Sequence, residues 1–335
     1  MAYFECIIGG AGTTLTVTCD SGFAGKTITC TDGTTTLTAV CPSASPYVVE
    51  FDVETDGTWT ISGTVSGTTH SITMTIQTSA DLHEIPNGST VTPVANIQTW
   101  LHCANIWDKD YTTISQVLND ATTLLALISS NNAADYMARS TSWASSVCAN
   151  AIAMQYIGNN NYCANKLLAN STWYTAICNS TYFESVLNVK VPTMTSNTEP
   201  SGTAISLPSN ANAYRAFDGN IDTYAGGTSS GNTPYPHEFG YIFPSNVKIA
   251  KIVIQAKPSY ENYLPKDCSI QYTTNGSTWS TAKSNIVLSK VTSQTLLLDS
   301  LLQCKGLKIH ATSGYYTNYN WSGIHEMQFY GRASS

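Results

Sequence analysis

The chain has 335 residues, a formal net charge of −7 and a charged share of only 11%, well under the roughly 25% of an average soluble domain. That length holds two or three domains, and the 42% of hydrophobic residues can fill their cores. Fifteen basic residues, scattered along the chain, exclude the Lys/Arg stripe that displaces counterions from nucleic acid, and they weigh equally against an anionic membrane surface.

No run is apolar for long enough to span a bilayer, so membrane insertion is not expected. Met1-Ala2-Tyr3-Phe4-Glu5-Cys6 lacks a basic stretch followed by an apolar one, so either synthesis without a leader or removal of a leader is expected. The ten cysteines form no CxxC pair, against zinc-ribbon and thioredoxin readings. Several continue apolar faces, as a small buried hydrophobe does; free thiols are the expectation, with a bridge left open.

Residues 1–80 read as all-β. Leu15, Val17 and Cys19 alternate with threonines, as do Ile28 and Cys30, and Val49-Glu50-Phe51-Asp52-Val53 alternates cleanly. Such period-two runs between turn signals predict strands. The expectation is a small immunoglobulin-like β-sandwich resembling spacer modules. Pro86-Asn87-Gly88 and Pro93 mark residues 81–97 as a linker.

Residues 98–188 change to helical spacing and carry a ten-residue repeat of eight units from Asp108. The tenth position is always apolar: Val117, Leu127, Met137, Val147, Ile157, Leu167, Ile177 and Leu187. The third is always a helix N-cap former: Asp110, Asp120, Ser130, Ser140, Asn150, Asn160, Asn170 and Ser180. The sixth lies four residues before the tenth and shares its face. The pattern predicts mini-helices of about seven residues, too short to persist alone and stable only when stacked as a solenoid. Its role is read as a spacer or assembly surface.

Residues 189–335 return to β patterning. Within them, Ala213-Tyr214-Arg215-Ala216-Phe217-Asp218-Gly219-Asn220-Ile221-Asp222-Thr223-Tyr224 resembles the opening signature of the discoidin family, also called coagulation factor V/VIII type C domains and family 32 carbohydrate-binding modules. Tyr241-Ile242-Phe243 with residues 249–254, the segment from Pro265 through Asn275-Gly276 to Trp279, and Glu326-Met327-Gln328-Phe329-Tyr330-Gly331 resemble later pieces of that family, in its order. The resemblance implies an eight-stranded jelly roll. The full architecture expected is therefore multidomain α+β: an immunoglobulin-like β-sandwich, an all-α mini-helix repeat and a discoidin-like β-sandwich.

The resemblance also implies one structural Ca²⁺, an ion that takes six to eight oxygens. Asp218 and Glu326 would give carboxylates, Asn220 and Thr223 carbonyl or side-chain oxygens, and Arg215 a backbone carbonyl. The metal-free alternative is an Asx turn in which Asp218 caps its own backbone. Tyr224 stands where the family usually has Trp, which puts local packing in question. Ligands of the family bind at loops on one end of the sandwich, and sugars stack their C–H faces on aromatic rings. Tyr260 and Tyr263, then Tyr315, Tyr316, Tyr319 and Trp321, and finally Tyr235 and His237 are the candidate glycan contacts.

Catalysis is not expected. Gly227-Thr228-Ser229-Ser230-Gly231 fits a nucleophile-elbow pattern but neither follows a buried strand nor opens a helix. The six histidines show no metal-ligand spacing, and His325 reads as a strand residue. The whole arrangement, with the connector 180–197, resembles tail or fibre proteins of Firmicutes-type gut bacteriophages. That resemblance implies a virion surface protein made in the host cytoplasm, partnered by other virion proteins and a cell-surface glycan, and assembled as a homo-oligomer, with a trimer the specific guess. The alternatives are an extracellular bacterial lectin or adhesin, and a structural fibre or head decoration without ligand.

Overall fold

The computed structural model describes residues 2–8, 13–31, 33–53, 57–63, 72–76, 80–84, 97, 100–101, 104, 106, 109, 111–226, 234–316 and 320–334. Two compact units emerge, Met1–Ala176 and Ile177–Ser335.

Among the described residues the first unit opens with eight strands: β1 (Ala2–Ile8), β2 (Thr13–Cys19), β3 (Thr27–Thr31), β4 (Thr36–Val40), β5 (Val48–Val53), β6 (Gly57–Gly63), β7 (Ile72–Ile76) and β8 (Ala80–Glu84). They form antiparallel sheets of order β4-β3-β6-β1-β8 and β5-β2-β7. The alternation in the sequence sets the register of burial. Val17, Ile28, Cys30, Val49, Phe51 and Ile61 are buried while Thr18, Glu50 and Asp52 are exposed. The sheet extends past residue 80: β8 lies in the expected linker and pairs with β1. Asp32, which with Gly33 forms a turn signal between two of the alternating runs, and residues 85–96 of the linker lie outside the described residues.

Beyond them run α1 (Ile114–Leu118), α2 (Ala121–Ser129), α3 (Asn131–Arg139), α4 (Ala144–Cys148), α5 (Ala151–Asn159), α6 (Asn161–Ala169) and α7 (Ser171–Asn179), in which the division between the units falls. The ten-residue period is real. Asp120, Ser130, Asn150, Asn160 and Asn170 each accept a hydrogen bond from a first-turn amide with their side chain. The fully capped helices run to nine residues, not seven, because each continues to the next cap. All the tenth-position residues of this unit are buried to 1% exposure or less. Ser140 departs from the rule: its hydroxyl accepts from Trp100 Nε1 at 3.0 Å and a 3-10 turn precedes α4. Asp110 lies outside the described residues.

Helices pack on neighbours, α1 with α2, α2 with α3, α4 with α5 and α5 with α6, and also three units on, α1 with α4, α2 with α5 and α3 with α6. The array thus coils with three ten-residue units per turn. Asparagine at the cap serves both contacts. Asn160 Oδ1 accepts the Cys163 amide at 3.0 Å while Nδ2 donates to the Ile128 carbonyl at 2.9 Å, one coil back. Asn150 does the same for Ala153 and Leu118.

The second unit contains α8 (Phe183–Val186), β9 (Val189–Lys190), β10 (Thr203–Leu207), β11 (Ala225–Gly226), β12 (His237–Gln255), β13 (Asp267–Thr273), β14 (Ser280–Val287), β15 (Ser293–Ala311), β16 (Gly323–Ile324) and β17 (Glu326–Ala333). β12 and β15 are 19 residues each, and their pairing is interrupted between Ile242 and Val247. Before that break β12 pairs with β10 and β15; after it, with β17 and the other half of β15. Bulges bend a strand and raise its twist, so these two strands serve both layers of the sandwich. Phe217, Tyr241, Phe243 and Phe329 interlock at its centre, ring centroids 5.0–6.5 Å apart.

The unit starts twelve residues earlier (189 − 177) than the sequence boundary. The last helical repeat belongs with the sandwich: the Phe183 ring meets Tyr330 edge-on at 4.8 Å, Lys251 Nζ donates to the Cys178 carbonyl, and Arg332 Nη1 donates to the Val186 carbonyl.

Candidate functional site

The loop between β10 and β11 brings the first site together. Its 3-10 turn, Ala213–Ala216, anchors on buried Ala213 and Ala216, and Phe217 then plugs the core. That plug presents Asp218 at the rim. Gly219 follows at φ +73°, a conformation costly for residues with a Cβ, and turns the chain back. Asp218 Oδ1 accepts the Asn220 amide at 2.9 Å and Oδ2 accepts the Thr223 hydroxyl at 2.7 Å. From β17, Glu326 Oε1 accepts the same Asn220 amide at 2.9 Å.

Asp218 and Glu326 therefore meet. Burial, then the neighbouring Asp218, pushes the Glu326 carboxyl up to about 8, against the pull of the Asn220 and Gly219 amides. Two facing carboxylates need a proton or a cation between them. Asn220 and Thr223 supply further oxygens beside them, Thr223 Oγ1 lying 3.0 Å from the Asn220 carbonyl. The donor set is oxygen only, which suits a hard cation such as Ca²⁺. Among the described residues no group of three or more His, Cys, Asp or Glu assembles, so carbonyl, amide and hydroxyl oxygens would complete the shell. Arg215 lies in the turn, its amide donating to the Asn212 carbonyl. The Asx turn of the metal-free alternative is also present, since Asp218 holds the Asn220 amide.

Beside this loop, aromatic rings from separate segments converge. Tyr263 stands 4.6 Å from Trp321 and 5.6 Å from Tyr316. Tyr260 touches Tyr263 at 5.2 Å, and Tyr224 meets Trp321 at 5.6 Å. Edge-to-face pairs of this kind are stabilising beyond area burial. The Tyr263 hydroxyl is pushed up by burial and by the phenols of Tyr316, Tyr260 and Tyr224. Tyr224 and Tyr260 remain 42% and 39% exposed, so the cluster presents ring surface to solvent. Lys257 joins it, paired with Asp222 at 2.9 Å and 5.3 Å from the Tyr260 ring.

The floor under Trp321 is glycine. Gly226 and Gly323 face each other across the β11–β16 pair. A Cβ on Gly226 would fall 2.9 Å from Trp321 Cζ2, and one on Gly323 3.0 Å from Cη2. The indole lies directly on backbone because neither position has a side chain.

Of the glycan contacts expected from sequence, Tyr260, Tyr263, Tyr316 and Trp321 come together. His237 is a correction: it is completely buried, its Nδ1 2.9 Å from Ser322 Oγ, so it braces the loop from within. Tyr235 stacks on His237 at 4.4 Å and donates its hydroxyl to the Trp321 carbonyl, again a support. Tyr315 turns away and donates to the Leu288 carbonyl. Tyr319 and the nucleophile-elbow motif at 227–231 lie outside the described residues. Sequence reasoning missed Tyr224 as a presented ring, and it missed His325. That histidine lies 5.8 Å from Tyr224 and 6.0 Å from Tyr260; burial and Lys257 pull its pKa down. The available signals were adjacency: Tyr224 follows the carboxylate loop, and His325 precedes Glu326.

Residues 197–327 match the family model for the F5/8 type C domain. This part of the chain is an F5/8 type C domain. Solved structures of low identity match about two fifths of the chain. One is the family 32 carbohydrate-binding module of Clostridium perfringens NanJ in complex with galactose: 21% identity, 42% of this chain and 99% of that one, TM-score 0.35. Another Clostridium perfringens module, CpGH89CBM32-5 in complex with GalNAc-β-1,3-galactose, is 14% identical over 41% of this chain and all of its own, TM-score 0.35. The family 32 module of Streptococcus pneumoniae EndoD is 15% identical over 41% of this chain and all of its own, TM-score 0.33. No curated protein matches the chain. Tyr224 and Glu326 both fall within the matched residues.

Proposed function

We propose that the chain binds cell-surface glycan through the rim of its F5/8 type C domain, acting by attachment and not by catalysis. The observation that carries this reading is the convergence of Tyr224, Tyr260, Tyr263, Tyr316 and Trp321 into one partly exposed ring cluster. Rings give rigid, amphipathic contact at low entropic cost, and a sugar's C–H face stacks on them while its hydroxyls reach polar neighbours. A Ca²⁺ ion held by Asp218, Glu326 and oxygens of Asn220 and Thr223, with the Arg215 carbonyl as a further candidate ligand, would fix the loop that carries Tyr224. The ion supplies charge neutralisation and rigidity; the rings supply the contact.

The rest of the chain supports display. The N-terminal sandwich serves as an immunoglobulin-like spacer and the coiled mini-helices as a spacer or assembly surface. The resemblance of residues 180–197 to phage fibre connectors and the low charge support a virion surface protein that is made in the host cytoplasm and incorporated with other virion proteins. A homo-oligomer, a trimer in the simplest case, would multiply weak sugar contacts by effective concentration.

The test is direct titration of the full chain with galactose and N-acetylgalactosamine, backed by a glycan array. Binding that is lost in Tyr263→Ala and Trp321→Ala, with the fold retained by circular dichroism, is the expected outcome. An array without a single ligand, using protein saturated with Ca²⁺, would sink the reading.

A further inference from the structure

We infer that His325 is the buried hydrogen-bonding contact of the ring cluster, and that the ligand it serves is a neutral glycan presenting a hydroxyl between Tyr224 and Tyr260. The inference rests on the proposed glycan reading of the rim.

His325 is only 2% exposed, yet its Nδ1 has no hydrogen-bond partner among the described residues. A buried polar atom left unpaired is destabilising, and native structures leave few without a water, ion or ligand to satisfy them. The imidazole is not placed at random. Its ring centroid is 5.8 Å from Tyr224 and 6.0 Å from Tyr260, the two most exposed rings of the cluster. β16 ends one residue before it and β17 begins one residue after it, so the backbone on both sides is held by pairing. The imidazole therefore stands against two presented rings with one nitrogen unsatisfied, and a hydroxyl that enters with a stacked sugar and displaces these exposed rings slightly would gain the partner that the protein lacks.

The charges beside it set the ligand class. Lys257 and Asp222 pair at 2.9 Å, and Lys257 Nζ lies 5.3 Å from the Tyr260 ring. Opposite signs cancel at this edge. An anionic sugar would have to separate Lys257 from Asp222 and then face that freed carboxylate, whereas a neutral hydroxyl leaves the pair intact.

The experiment is calorimetric titration of the full Ca²⁺-loaded chain with galactose, N-acetylgalactosamine and N-acetylneuraminic acid, in the native protein and in His325→Phe and His325→Gln. His325→Phe keeps a ring between the tyrosines and removes both nitrogens. It is expected to melt at or above the native temperature and to bind the neutral sugars at least tenfold more weakly, with partial recovery in His325→Gln. As a readout that needs no variant, the His325 imidazole resonances of the native protein should shift on saturation with the neutral sugar. Affinity within twofold of native in His325→Phe, or unmoved imidazole resonances, overturns the role of His325 and leaves the rim reading standing. Tighter binding of N-acetylneuraminic acid overturns the ligand class. No binding of any glycan by the native protein removes the rim reading, and this inference with it.

Discussion

Glu326, at the start of the last strand, shares the Asn220 amide with Asp218, and its carboxyl is raised to about 8 by burial and by that neighbour. This arrangement ties stability to pH with a definite sign. The folded carboxyl holds its proton well above its ordinary value of 4.5. The folded state therefore binds more protons than the unfolded state between about 4.5 and 8, and stability falls as pH rises through that window. A cation reverses the trend, because it favours both carboxylates ionised. In EDTA the melting temperature of the second unit should fall steadily from pH 5 to pH 8. With Ca²⁺ in excess it should rise at pH 8 and lose most of that slope. Melting curves that superimpose with and without Ca²⁺ at pH 8 would count against the ion.

The Tyr224–Trp321 contact depends on bare backbone beneath it. Gly226→Ala places a methyl 2.9 Å from the indole and 3.1 Å from the Tyr224 ring. Such a clash must move the rings, since the backbone is held by the β11–β16 pair. Overpacking of this kind costs about 1–3 kcal/mol. Sugar affinity should fall at least tenfold while the far-ultraviolet spectrum is retained. Tryptophan fluorescence should change with it, reporting the displaced indole.

These two sites were legible to different degrees. Asp218, Asn220, Thr223 and Glu326 follow from a resemblance that fixes order along the chain, and they meet because Phe217 plugs the core beside them. The rings were only half legible. An aromatic loop announces that rings are available, but not which side of the loop each one takes. Tyr235, His237 and Tyr315 brace the loops because backbone carbonyls and Ser322 lie within their reach, and only three-dimensional packing reveals that. The helical repeat shows the same limit. Cap and apolar columns set each mini-helix, but a period of ten says nothing about the coil, which is set by contacts three units apart. β8 was hidden because the Pro86-Asn87-Gly88 signal nearby read as a linker.

The coil makes its own prediction. Asn160 caps α6 with its oxygen and reaches Ile128 with its amide nitrogen. Asn160→Asp keeps the cap acceptor and removes the donor; Asn160→Ala removes both. Loss of a cap costs about 1 kcal/mol, and a hydrogen bond adds about 0.5–1.5 kcal/mol net. Urea unfolding of the full chain should rank native above Asp above Ala, with Ala lower than native by about 2 kcal/mol. Equal midpoints for Asp and native would show that the inter-coil bond contributes nothing.

The second unit reaches back to Ile177 through contacts made by two buried cations. Lys251 is buried, its ammonium 2.8 Å from the Cys178 carbonyl and 3.5 Å from the Phe183 ring centroid. Burial pulls its pKa below the ordinary lysine value, so the charge depends on these contacts for compensation. Arg332 leans on the Val186 carbonyl in the same way. A fragment beginning at residue 189 loses all of these partners, whereas one beginning at 177 keeps them. Hydrogen bonds to charged groups contribute about 1.5–3 kcal/mol and a cation–π contact about 0.5–2 kcal/mol. For a domain of this size each kcal/mol shifts the midpoint by roughly 2–4 °C. The 177–335 fragment should therefore melt about 5–10 °C above the 189–335 fragment. Lys251→Met in the longer fragment should lose much less, because a flexible apolar chain can pack against Phe183 without a charge to compensate. Identical melting of the two fragments would place the domain boundary back at residue 189.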